Sequence, residues 1–162
     1  MIVLVMGVSG SGKTTIGEAL ARELGWKYLD ADDYHPKANV EKMASGTPLQ
    51  DADRWPWLEK INAELLRIQK RGQSAVVGCS ALKQAYRERL ARNIENLQIV
   101  FLTGSFELIH SRIAARRHRF MPASLLQSQF EALEPPVEAI EIEVSAPMEN
   151  SIKRIKARLR PV

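Results

Sequence analysis

The sequence predicts an α/β fold, a parallel sheet with helices packed on both faces. Three observations carry that prediction. The apolar run Ile2–Met6 is unbroken and mostly branched, as expected of a strand covered on both sides. The glycine-rich stretch GVSGSGKTT, Gly7 to Thr15, follows it at once and leads into a segment of helical period. Further short apolar runs then alternate with helical segments, the βαβ pattern that builds parallel sheets.

Each element has its own signal. Lys13 to Leu24 places Ile16, Leu20 and Leu24 on one helical face, and Gly25 ends it. Lys27–Asp30 reads as a short second strand. Asp32 to Asp53 is polar and holds Pro36 and Pro48, so it reads as loop with a short helix near Ala38–Ala44. Asp53 is placed to cap a helix carrying Trp57, Ile61, Leu65 and Ile68 that runs to Gly72. Ser74–Cys79 is a third strand, Leu82–Arg92 a helix, and Leu97–Leu102 a fourth strand. Ser105–Arg116 is a helix with Phe106, Ile109 and Ile113 inward, and Ala123–Leu133 another, closed by Pro135-Pro136. Ile140–Val144 alternates like an outer strand, and Ile152, Ile155 and Leu159 mark a last helix. No linker or internal repeat divides the chain, so residues 1–162 are expected to form one domain.

Composition narrows the class of function. With 45% hydrophobic and 26% charged residues, the 162-residue chain suits a soluble globular domain. A net charge of +4 and pI near 9.4 favour small anionic ligands. Cys79 is the single cysteine, which excludes an internal disulfide and fits a reducing compartment. No run approaches a bilayer-spanning length, so the expectation is a cytoplasmic protein with no membrane partner. Lys153, Arg154, Lys156, Arg158 and Arg160 make the last helix basic. Without interleaved aromatics they read as a solvated face rather than a nucleic-acid surface.

Gly7, Gly12, Lys13 and Thr14 satisfy G-x-x-x-x-G-K-[ST] in the required context of strand, loop and helix. Glycines let backbone N–H groups curl around a polyphosphate at a helix N-terminus, where the dipole favours negative charge. Gly7, Ser9, Gly10, Ser11, Gly12, Lys13, Thr14 and Thr15 are therefore the candidate contacts to ATP. Lys13 would reach the β- and γ-phosphates, and the Thr14 hydroxyl would ligate Mg²⁺. A switch GTPase should also show N-K-x-D and a glutamine after D-x-x-G; neither pattern is present. The third strand ends without an acidic residue, so carboxylates must come from Asp30-Ala31-Asp32 at the tip of the second. In an extended chain these two alternate residues face the same way, one toward Mg²⁺ and one toward an attacking hydroxyl. A solvated acidic turn is the alternative.

LDADDYHPKANVEKMASGTPLQDADRWPWL, from Leu29, resembles the signature of the bacterial gluconokinases. CSALKQAYRERL from Cys79 and FMPASLLQSQFEALEPP from Phe120 extend the resemblance, which spans most of the chain in ordered blocks. It implies a fold like that of nucleoside monophosphate kinases, with five parallel strands in order 2-3-1-4-5 and a lid at about 114–124. It also implies a homodimer and transfer of phosphate from ATP to the C6 hydroxyl of D-gluconate, giving 6-phospho-D-gluconate. By the same resemblance Asp32 is the choice of base and Asp30 of the Mg²⁺ position, with the assignment inside the pair open. Shikimate kinase, of the same fold, is the rival; the long block at 33–53 looks like the gluconate type.

Gluconate is a linear polyol with a carboxylate far from its reacting hydroxyl, so its site needs cations at one end and hydroxyl partners along the rest. His35, Asn39, Lys42 and Asp51 fall in the 33–53 insertion, where this fold holds its acceptor. Arg54, Ser80, Lys83 and Arg87 add polar reach, with Lys83 and Arg87 four apart on one expected helix face. Exposed solubilising roles are the alternative for any of these, His35 has a structural alternative between Tyr34 and Pro36, and Trp55 and Trp57 read as core or dimer anchors. In the lid, Arg112 resembles the arginine that stacks on adenine, and Arg116 is the choice for the transferring phosphoryl. Charge at a helix C-terminus is the blander reading. One departure stands out: relatives read R-x-G-H-F where this chain has Arg116-Arg117-His118-Arg119-Phe120.

Overall fold

In the computed structural model, which describes residues 1–115 and 122–160, the fold grows outward from its first strand. β1 (Ile2–Met6) is buried at every position and lies at the centre of a parallel sheet of order β2-β3-β1-β4-β5. The remaining strands are β2 (Lys27–Asp30), β3 (Ala75–Gly78), β4 (Leu97–Thr103) and β5 (Ile140–Glu143). This is the order implied by the resemblance.

Alternation along β1 divides the interior into two cores. Val3 and Val5 face one side, where they pack with Ile16 and Leu20 of α1 (Lys13–Leu24), Ile109 and Ile113 of α5 (Phe106–Ala114), Leu126 of α6 (Ala123–Ala132), and Ile152 and Ile155 of α7 (Met148–Arg158). Ile2, Leu4 and Met6 face the other, against Trp57, Leu58, Ile61 and Leu65 of α3 (Asp51–Lys70) and Tyr86 and Leu90 of α4 (Gln84–Ala91). Loops at the carboxyl ends of the strands therefore converge on one edge, above two packed layers. Among the described residues no helix is long and apolar enough to cross a membrane.

Several boundaries differ from expectation, each for a local reason. Asp53 acts from the third position of α3 rather than as its cap: Gln50 precedes the helix, and Asp53 Oδ2 accepts a hydrogen bond from Gln50 N at 2.9 Å. The segment after β2 folds as a 3₁₀ turn (Ala31–Tyr34) and then α2 (Lys37–Ala44). α4 starts at Gln84, not Leu82, leaving Lys83 extended with φ −100° and ψ 148°. Phe106 is half-buried and packs against the same core as Ile109 and Ile113, the fully buried residues of α5. Arg116, Arg117, His118, Arg119 and Phe120, expected to form a lid, and with them the choice of Arg116, lie outside the described residues.

Candidate active site

The glycine-rich loop turns between β1 and α1 through backbone that only glycine adopts readily. Gly12 sits at φ 97° as the residue preceding α1. At Gly10, φ 78°, an added Cβ would stand 2.4 Å from Ile113 Cγ1, so the loop lies directly on α5. The loop has a cavity on each side.

The first cavity holds the polar chemistry. Ser9, Gly10, Gly12, Lys13, Thr14 and Thr15 line it from the loop and α1, Tyr28, Asp30 and Asp32 from β2 and its turn, and Gly78, Cys79 and Ser80 from the end of β3. Lys13 Nζ donates to Val8 O at 3.1 Å, folding the side chain back over the loop. Asp30 Oδ1 accepts from Asp32 N at 3.0 Å and so caps the 3₁₀ turn. The two carboxylates line one cavity by a different route from simple alternation, because the chain leaves the strand at Asp30. The period of two holds for Tyr28 and Asp30 instead. Asp32's side chain is 73% exposed, open to an incoming molecule. Burial pushes the Cys79 thiol up to about 12, so it stays protonated and is no nucleophile.

The second cavity, of about 240 Å³, lies between Gly10–Ile16, Leu102, Arg112, Ile142, Val144, Met148 and Ser151. Its walls are mainly aliphatic, a slot suited to a flat base. Arg112 Nη2 donates to Val144 O at 2.7 Å and is held at its rim. Ser11 is buried, and among the described residues its hydroxyl has no hydrogen-bond partner.

Behind Asp32 stands an ordered polar cluster. His35 stacks on Trp57 with centroids 4.2 Å apart, and its Nε2 is 3.9 Å from Asp32 Oδ1. Trp57 Nε1 donates to Ala31 O at 2.7 Å, tying α3 to the acidic turn. Asn39 Nδ2 donates to Asp53 O at 2.9 Å and lies 3.3 Å from His35 Nδ1. Burial holds the His35 pKa below its ordinary value, against the opposing pull of Asp32, so the imidazole is neutral near pH 7. Lys42 Nζ donates to both oxygens of Asp53, each at 3.0 Å.

Further along, Asp51 accepts hydrogen bonds from the Tyr86 hydroxyl and from Arg54 Nη1 at 3.4 Å, with Lys83 Nζ at 3.9 Å. The Tyr86 hydrogen bond, ahead of these cations, holds the Asp51 carboxyl below its usual range. Arg54 and Lys83 also lie 5.5 and 5.7 Å from the Tyr86 ring centroid. This corner can receive an anion and hydroxyls together.

The structure does not bring Arg87 to it. Arg87 is 4% exposed, donating to Ala81 O at 2.8 Å, Leu82 O at 3.1 Å, Gln84 Oε1 at 3.0 Å and Glu134 O at 2.7 Å. Because α4 begins after Lys83, the two cations do not share a helix face: Lys83 reaches Asp51, whereas Arg87 turns inward to fasten the loop before α4.

Two residues at the site were not read from the sequence. Gln129 of α6 accepts from Ser9 N at 2.8 Å and donates to Ser9 Oγ at 3.0 Å, tying α6 to the phosphate loop. It lies inside a block quoted for its resemblance, but a glutamine on a helix carries no signal of its own. Tyr28 was legible in principle, two residues before Asp30 on a strand.

Among the described residues no three His, Cys, Asp or Glu cluster as a metal-binding group. Mg²⁺ on a nucleotide takes one or two protein oxygens and fills its shell with phosphate oxygens and water. Thr14, Asp30 and Asp32 line the same cavity and supply oxygens of that kind.

Comparison with known proteins agrees with this arrangement. A family model described as an AAA domain matches residues 2–136. The chain is 45% identical to the thermosensitive gluconokinase of Escherichia coli (strain K12), over 82% of this chain and 71% of that protein. It is 48% identical to the gluconokinase of Gluconobacter oxydans (strain 621H), over 83% of this chain and 75% of that one. A crystal structure of a gluconokinase from Sinorhizobium meliloti 1021 superposes with a TM-score of 0.84 at 42% identity, covering 96% of this chain and 89% of that one. With the phosphate loop, the paired carboxylates beside it and these relatives in agreement, the chain belongs to the gluconokinase family.

Proposed function

We propose that this chain transfers the γ-phosphoryl group of ATP to the C6 hydroxyl of D-gluconate, with Asp32 as the base. The observation that carries the reading is the shared cavity: Asp32 and Asp30 line the same space as Gly10, Gly12, Lys13, Thr14 and Thr15. A kinase needs an alcohol, a proton acceptor and the terminal phosphate within one water-poor site. The exposed carboxylate of Asp32 faces that space and can take the proton as the alcohol attacks phosphorus.

The other roles follow from position. Loop amides and Lys13 hold the phosphates, and the aliphatic slot beside Arg112 takes the adenine. Thr14 and Asp30 are the residues to hold Mg²⁺, which when bound neutralises phosphate charge. Arg54 and Lys83, around Asp51 and Tyr86, are matched to the substrate carboxylate, and His35, Lys42 and Ser80 are assigned to its hydroxyls, while Asn39, 3% exposed with its amide on Asp53 O and His35, holds that cluster together instead of meeting the substrate. Arg116 is assigned to the transferring phosphoryl, and the working form is a homodimer. Shikimate, a compact ring, has no use for an insertion in which α2 and the start of α3 are joined through Asn39 and Lys42 to Asp53.

A coupled assay of ADP release over gluconate, other sugar acids, shikimate and nucleoside monophosphates tests the reading. Turnover should rise only with gluconate-type acids. Turnover with shikimate alone would reject it.

A further inference from the structure

Tyr28 is half-buried overall, yet its hydroxyl is fully buried and, beyond an irregular contact with Thr14, makes no hydrogen bond among the described residues. Buried hydroxyls are rarely left so, because desolvation without a partner is unfavourable. The hydroxyl cannot swing out to water. A Cβ on Gly17 of α1 would stand 2.5 Å from Tyr28 Cε2, and one on Gly78 at the end of β3 would stand 2.4 Å from the hydroxyl oxygen. Two positions without side chains thus form a slot that only this ring fills. The slot holds Tyr28 in the wall of the phosphate cavity, which Thr14 and Asp30 also line.

A ring needed only for packing would be served by phenylalanine, which carries no orphan oxygen. A phenolic hydroxyl can donate, so the partner it lacks is an acceptor oxygen that arrives with the ligand or is reoriented by it.

We propose that Tyr28 is a positioning residue for the nucleotide's divalent cation, its hydroxyl bonding to an oxygen of the cation's coordination shell, either Thr14 Oγ1 or a shell water. The inference rests on the kinase reading above. It adds a neutral donor, on the strand that also carries Asp30, to a site otherwise built from Thr14 and carboxylates. Tyr28 then orients the Thr14 hydroxyl without itself touching the phosphate.

Tyr28→Phe tests this, because it keeps the ring in its slot and removes one oxygen. Calorimetric titration with ATP in Mg²⁺ and in EDTA separates the cation-dependent part of affinity from the rest. Affinity in Mg²⁺ should fall about 3- to 10-fold, as for one lost hydrogen bond, and affinity in EDTA should not change. The Tm without ligand should stay the same or rise. An unchanged ratio of the two affinities, with or without a lower Tm, would overturn the proposal and leave Tyr28 a packing residue. Wild-type protein that binds MgATP but does not phosphorylate gluconate would reject the substrate assignment and leave this inference standing. Wild-type protein that binds no nucleotide would reject both.

Discussion

His35 lies flat on Trp57, with 13° between the ring planes, and its Nε2 points toward Asp32 Oδ1 from 3.9 Å. Asn39 fixes which nitrogen carries the proton. Its Nδ2 must face Asp53 O to bond it, so the same amide donates to His35 Nδ1 and leaves the hydrogen on Nε2. A neutral imidazole is therefore presented to the carboxylate assigned as base. His35→Phe keeps the stack and removes that N–H; kcat should fall about 3- to 10-fold, the scale of one polar contact, with Tm nearly unchanged.

The same histidine makes stability depend on pH. Its folded pKa lies below the unfolded value of roughly 6.5, so the unfolded chain binds more protons in the window beneath that value. Stability from His35 is complete above that window and declines as pH falls through it toward the folded pKa. Thermal melts from pH 8 to pH 5 should show a drop that is shallower in His35→Phe. Equal slopes in the two proteins would contradict the assignment.

The two aspartates should separate by kinetics. Asp32→Asn should lower kcat by about 10²- to 10⁴-fold, with little change in nucleotide affinity, because it removes the proton acceptor. Asp30→Asn should instead raise the Mg²⁺ concentration needed for half-maximal rate. The reverse pattern would exchange their roles.

Arg87 should behave as a structural residue. Arg87→Met leaves Ala81 O and Glu134 O without this donor, while Leu82 O keeps its bond from Glu134 N, and should destabilise the fold by about 2–4 kcal/mol, measured by urea unfolding. KM for gluconate of the folded fraction should not change. A stable variant with a raised KM would return Arg87 to the substrate site.

Gln129→Leu removes both bonds to Ser9. With the loop's tip no longer tied to α6, KM for ATP should rise about 3- to 10-fold while KM for gluconate moves little.

How far these residues speak for themselves depends on the range of their signals. The strand, loop and helix from Ile2 to Leu24 were legible because apolar run, glycines and helical period are all local. Asp30 and Asp32 were legible as a pair, though the reason offered, alternation in an extended strand, fails at Asp30, where the chain turns into a 3₁₀ helix. Arg87 misled because its spacing of four from Lys83 suggested one shared helix face at the cleft, whereas α4 begins after Lys83 and the partners of Arg87 include carbonyls at Ala81, Leu82 and Glu134, the last 47 residues away. Gln129 reaches Ser9 across a separation of 120 residues, a contact that no local pattern announces. Tyr28 needed Gly17 and Gly78 to be placed around it, and those meet only when α1, β2 and β3 are assembled.

Product analysis tests the central claim most directly. Purified protein incubated with MgATP and D-gluconate, followed by ³¹P NMR, should yield ADP and a new phosphomonoester at C6 in equal amounts, with Asp32→Asn reducing that rate at least about 100-fold. ATP hydrolysed to free phosphate with no phosphorylated sugar acid, or full turnover by the Asp32→Asn protein, would contradict it.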